Sequence, residues 1–150
     1  MADTKKTRKD PVPEYVSTIE KFLEKVGYNP ADVRLDVSEK GNYGWRAHKG
    51  SASVLIFLLG SQETKVLRVV SPILKLPQEN LLPFYRRLLE TNLTIPGCSL
   101  GVKGDEVLVF SERVLTRLSA SEIEMAIDMV ASVADGIDDE LSKEFGAAIL

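Results

Sequence analysis

His48 and Cys98 are the only histidine and the only cysteine in the chain, and a thiol activated by an imidazole is the one nucleophilic pair they could make. That chemistry needs the two side chains in contact, which their positions in the sequence do not establish. The competing reading places Cys98 inside a hairpin core and His48 on a strand. Two such residues cannot close a zinc site alone, and no CxxC or HxxxH spacing accompanies them. Gly41-Asn42-Tyr43-Gly44 is glycine-rich, but no GKS or GKT follows and no helix opens after it, so it suits a hairpin approach better than a phosphate cradle. Asp138-Asp139-Glu140 is a run of carboxylates on a helix, where neighbours diverge by ~100° and do not converge on one ion. No reaction class follows. The expectation is a protein with no catalytic residues, no cofactor and no metal.

The composition turns attention to binding. The chain has 150 residues, 44% of them hydrophobic, and a formal net charge of −3. The charge is uneven. Lys5, Lys6, Arg8 and Lys9 outnumber Asp3 and Asp10 at the start, whereas Glu122, Glu124, Asp128, Asp135, Asp138, Asp139, Glu140 and Glu144 face only Lys143 at the end. An acidic end argues against nucleic acid or an anionic membrane as its partner. A single cysteine allows no disulfide within the chain and fits a reducing cytoplasm. The first residues hold no apolar signal core, and the longest apolar run, Val54 to Leu59, is far below the ~20 residues of a membrane span. A soluble, cytoplasmic protein is expected.

Periodicity supplies the elements. Residues 1–12 read as a disordered basic tail. Val16, Ile19, Leu23 and Val26 mark one face of a helix over 13–26, stopped by Gly27. Tyr43–His48, Ser53–Leu59 and Lys65–Ser71 read as three strands joined by Lys49-Gly50-Ser51 and Gly60-Ser61-Gln62; the apolar run of the second predicts cover on both faces. A second helix follows Asn80 and ends near Asn92, with Pro83 in its first turn. Ser99–Lys103 and Val107–Phe110 form a hairpin about Gly104-Asp105. Leu118-Ser119-Ala120-Ser121-Glu122-Ile123 has the spacing of a capping box and hydrophobic staple and opens the last helix. The expected fold class is α+β, an antiparallel five-stranded sheet with three helices in the order α-β-β-β-α-β-β-α. Residues 13–146 would form its one domain and 147–150 a C-terminal tail.

Leu88-Leu89-Glu90-Thr91-Asn92, Gly97 to Val102, the return strand Val107-Leu108-Val109 and the Leu118-Ser119 helix start together resemble the YbjN domain and the type III secretion chaperone-like fold, which includes the class I secretion chaperones. The family shows a leucine pair before an asparagine at a helix end, a small-residue strand, a hairpin and a long serine-capped helix. The element order is similar over nearly the whole chain after residue 12, the motifs over about residues 80–140. The resemblance implies a chaperone-like or adaptor-like module, often dimeric, without enzymatic activity.

Two surfaces are candidates for binding. Leu81, Leu82, Phe84, Tyr85, Leu88 and Leu89 cover an arc of roughly 160° on the second helix, either filling this domain's core from two sides or meeting a second copy in a homodimer. Glu124, Asp128, Asp135 and Asp139 form an acidic stripe on the last helix, beside Met125 and Met129, that could steer a basic client segment or serve solubility alone. The two methionines, at helical spacing, read first as core. The expected function is to hold a protein or peptide client. The alternative is a small dimeric regulatory or assembly factor whose N-terminal tail recruits a larger complex.

Overall fold

The computed structural model describes residues 12–60 and 64–150. Residues 1–11, nearly all of the expected tail, and 61–63, within the Gly60-Ser61-Gln62 connection, lie outside the described residues.

Helix α1 (Val12–Lys25) buries Val12, Ile19, Phe22 and Leu23, and Gly27 ends it at a φ of 98°, a left-handed value glycine reaches at no steric cost. Val26, expected on the apolar stripe, lies past the last turn and is 50% exposed. The Asn29 side chain accepts a hydrogen bond from the Ala31 N–H and starts the four-residue α2 (Pro30–Val33). Strand β1 (Arg34–Leu35) follows. Then come β2 (Tyr43–Lys49), β3 (Ala52–Gly60), β4 (Lys65–Lys75), α3 (Leu81–Thr91), β5 (Ser99–Lys103), β6 (Glu106–Val114) and α4 (Ala120–Phe145).

Among the described residues six strands and four helices, in the order α-α-β-β-β-β-α-β-β-α, replace the expected five and three. The additions are α2 and β1, four and two residues long, too short to display a period. Asn29-Pro30 was their only local signal, a cap followed by proline at the first helical position.

The sheet is antiparallel with order β1-β2-β3-β4-β6-β5. β4 runs four residues past the expected end at Ser71, because its register shifts between Pro72 and Leu74 and a bulge accommodates a proline inside a strand. Residues 147–150 lie against this irregularity. Leu74 bridges Ile149, and the Leu150 N–H reaches the Ile73 carbonyl at 3.0 Å.

Trp45, Ile56, Leu58, Leu67, Val69, Val107 and Val109 point to one face and are fully buried in a core shared with α1, α3 and α4. α4 crosses β4 and β3. Its start carries the expected capping box between Ser119 and Glu122, and Gly146 closes its end. On the other face Leu55, Phe57, Leu59, Val70, Leu108 and Phe110 are half-buried. The expectation that β3 is covered on both sides is therefore corrected: its alternating burial reflects one helix-covered face and one where apolar side chains shield each other around the Arg68–Glu112 ion pair.

Candidate functional site

The residues that could have done chemistry do not meet. His48 is exposed on β2, second in the strand order, while Cys98 is buried just before β5, which is last. Burial pushes the Cys98 thiol pKa up, away from a nucleophilic thiolate. The Asp138-Asp139-Glu140 run diverges. Asp138 is buried and accepts from the Ser51 hydroxyl at 3.2 Å, Asp139 faces solvent, and Glu140 pairs with Arg87 at 3.2 Å. Among the described residues no group of His, Cys, Asp and Glu side chains could hold a metal, and no helix is long and apolar enough to cross a membrane.

The apolar arc of α3 divides cleanly. Phe84 and Leu88 turn inward, and Phe84 meets Phe145 of α4 edge-on at 5.0 Å. Leu81 and Tyr85 are partly exposed, whereas Leu82 is 80% exposed, Leu89 68% and the following Leu93 88%. One helix thus serves the core with one side and carries an uncovered leucine ridge on the other. Arg87 locks its orientation through Glu140 and Glu144 of α4.

The acidic stripe of α4 divides as well. Asp135 accepts from the Ser51 N–H and hydroxyl, both at 3.2 Å, and so anchors the β2–β3 turn. Glu124 is 3.9 Å from Lys25 of α1. Asp128 and Asp139 are exposed. Met125 is exposed too and, with Met129, Glu124 and Asp128, lines a shallow surface depression, so the methionine pair belongs to the surface and not wholly to the core.

A third place was not legible beforehand. Among the described residues β1 pairs only with Gly44 and Trp45 of β2; past them α2 lies against β2 without forming a ladder, so Arg46 to Lys49 have no partner strand on that side. Beside this open edge is a cavity of about 340 Å³ between α1, β2 and α4, lined by Phe22, Val26, Tyr28, Ala47, Val54, Ile127 and Ala131, with His48, Lys49 and Asp128 at its polar rim. The outward backbone groups of His48 meet the Tyr28 side chain. The hydroxyl accepts from the His48 N–H at 2.9 Å and donates to its carbonyl at 3.0 Å. At the opposite edge the Asn92 carboxamide accepts from the Leu100 N–H at 2.7 Å and donates to its carbonyl at 3.2 Å. Asn92 stood in the motif that carried the family resemblance, with no role assigned to it. Tyr28 had no local signal, since its partner is twenty residues away.

Comparison with known proteins places this geometry. The family model for T3SS (YopN, CesT) and YbjN peptide-binding chaperone 1 matches residues 16–148. Among solved structures, a chain of the ExsC–ExsE complex is similar with a TM-score of 0.66 at 15% identity, covering 89% of this chain and 97% of that one. A chain of the HopA1–SchA chaperone–effector complex gives 0.58 at 12%, covering 88% and 98%. YbjN from E. coli gives 0.50 at 10%, covering 90% and 94%. No curated protein sequence matches.

Proposed function

The chain belongs to this family of T3SS and YbjN peptide-binding chaperones, and from that premise we propose that it holds an extended segment of a client protein along the open edge of β2. Its role is binding a protein or peptide client, without catalysis. The observation that carries the proposed site is a short stretch of the β2 edge, beyond β1 and with no partner strand among the described residues, next to an apolar cavity: its outward main-chain groups supply affinity for an extended peptide, and the cavity selects a side chain. Its polar rim adds Asp128, and Glu124 and Asp139 lie on the same helix, which favours a client with a basic residue beside the apolar one. In this reading the protein works in the cytoplasm, with one domain over 13–146 and its basic tail outside it, and nucleic acid is not a ligand of the acidic helix.

Val26 lines the cavity yet is half exposed, so Val26→Asp should leave folding intact and abolish client capture. The client is recovered with the full chain from its native host and mapped by cross-linking to residues around the cavity. A client held equally well by Val26→Asp would remove the groove from the reading.

The leucine ridge of α3 supports the second part of the proposal, a homodimer through Leu82, Tyr85, Leu89 and Leu93. Exposed apolar residues grouped on one helix mark association surfaces more often than they are left in water, and a two-fold pair buries the ridge against itself. Light scattering should give a dimer at micromolar concentration, and Leu89→Arg a folded monomer whose melting temperature no longer depends on protein concentration. A wild-type monomer at that concentration rules the dimer out.

A further inference from the structure

The free edge of β2 is not vacant: one side chain already occupies the hydrogen-bonding groups that a client strand would need. We propose that Tyr28 is a displaceable latch, a surrogate for one residue of the client strand, whose release is a step in client binding and sets its affinity. The inference rests on the strand-pairing reading above and names how that site is regulated.

Four observations carry it. First, the Tyr28 hydroxyl satisfies both outward groups of the same residue, the N–H and the carbonyl of His48. An antiparallel partner strand engages a residue in just this paired way. Second, the substitution is incomplete. A hydroxyl closes two bonds at one residue and offers no continuation; alternate residues of β2 turn their backbone groups to β3, so a peptide strand beside His48 takes over both bonds and adds those of Arg46, the other outward residue of the stretch. Third, the latch can move without disturbing its anchor. The Tyr28 N–H is fixed to the Leu23 carbonyl at 2.9 Å, which holds the backbone after Gly27, while both hydroxyl bonds lie at the exposed edge. The half-buried ring leaves its contact with the core when the side chain swings, while the backbone anchor after α1 stays in place. Fourth, the Tyr28 ring lines the cavity. Its departure frees the strand edge and enlarges the pocket in a single motion, so backbone pairing and side-chain selection become coupled.

The occupant is an extended peptide with one apolar side chain for the cavity and a neighbouring lysine or arginine for Asp128. Asp128 is exposed at the rim and makes no ion pair among the described residues. Asp135 and Asp138, close by in α4, are already engaged by Ser51. Lys49 on the same rim bonds the Ser132 hydroxyl at 2.9 Å and keeps its own charge, so Asp128 is the rim carboxylate that a basic ligand residue can reach.

The test uses peptides selected from a random nonapeptide display library on the full chain, their affinities then read by fluorescence anisotropy. Tyr28→Phe keeps the ring and deletes only the competing hydroxyl. It should bind about two- to fivefold tighter than wild type, the worth of the solvent-exposed hydrogen bonds it no longer has to break. His48→Pro removes the outward N–H, and with it the imidazole at the cavity rim, and should bind at least tenfold more weakly. Unchanged or weaker binding by Tyr28→Phe, with binding by His48→Pro lost, overturns the latch and leaves strand pairing standing. Equal affinity for all three proteins overturns strand pairing and the latch with it, as does a selection that enriches no peptide. Should His48→Pro not fold, amide exchange replaces it: peptide must slow exchange at His48 in Tyr28→Phe, and its failure to do so overturns strand pairing. A tyrosine that merely buttresses the fold would not raise affinity on losing its hydroxyl.

Discussion

The edge strand β5 and the stretch of β2 left beyond β1 are closed by the same device under different conditions. At β5 the Asn92 carboxamide presents a donor and an acceptor to Leu100 in part-buried surroundings beneath the last turn of α3. At β2 a single phenolic oxygen performs both roles for His48, in the open and beside a cavity. An unpaired strand edge is a template for other chains, and a protein whose trade is peptide binding must close one edge while keeping the other available. A carboxamide has the geometry of a peptide group and makes a durable seal. A hydroxyl does not, and makes a provisional one.

The contrast breaks most readily at Asn92. Asn92→Ala leaves the part-buried N–H and carbonyl of Leu100 without their partner, and such groups cost ~1–3 kcal/mol when unsatisfied. Chemical denaturation should show a loss of about 2–3 kcal/mol. Asn92→Asp retains the acceptor but sets a carboxylate oxygen against the Leu100 carbonyl, so it should recover little of that loss. At the other edge, water replaces the lost phenol at His48, and Tyr28→Phe should cost only about 0.5–1 kcal/mol. Equal costs at the two edges would erase the distinction between seal and latch.

Neither plug could be read from local sequence, and the reason is physical. Periodicity located α1, α3, α4 and the strands, because an element that buries one face repeats its apolar residues at its own period. The same signal could not tell which part of the α3 arc faces inward. Phe84, Leu88, Leu82 and Leu89 are alike in type, and only the position of Phe145 and the Glu140/Glu144 pair decides. Asp135 looked like surface charge, yet Gly50 approaches it so closely that an added Cβ would collide with its carboxylate. Tyr28 lies in the loop after α1 and His48 on β2, and α2 and β1 between them left only a cap signature. The missing information concerns pairs distant in sequence; the helix and strand content was legible because it is local.

Acid sharpens the comparison, since neither an amide nor a phenol changes charge between pH 3 and 8, whereas the start of α4 does. Hydrogen bonds with Ser119, chiefly from its backbone N–H, and the Arg113 charge 3.8 Å away hold the Glu122 carboxyl below its ordinary pKa. A carboxylate whose folded pKa is depressed stabilises the fold above its unfolded pKa of about 4.3 and loses that contribution as pH falls through the folded value. The stability difference between wild type and Glu122→Gln should therefore be constant from pH 7 to about 5.5 and shrink below that. The Asn92→Ala deficit should stay flat over the same range. Denaturation midpoints across pH separate the two, and a deficit at Asn92 that falls with acid would mean the β5 seal depends on charge after all.

The smallest effect is expected at Ser71, which inverts the logic of the edges. Its hydroxyl is buried at the centre of β4 and has no hydrogen-bond partner among the described residues, while the Tyr28 hydroxyl at the surface has two. Burying a hydroxyl unpaired costs free energy that a methyl of similar size avoids. Ser71→Ala should accordingly leave stability unchanged or raise it by up to ~1 kcal/mol, seen as a higher urea midpoint at constant slope. A loss of more than ~1 kcal/mol would show that the Ser71 hydroxyl has a partner in solution, and the rule separating edge from core, that polar groups are kept where they close a bond and tolerated where they do not, would fail at β4.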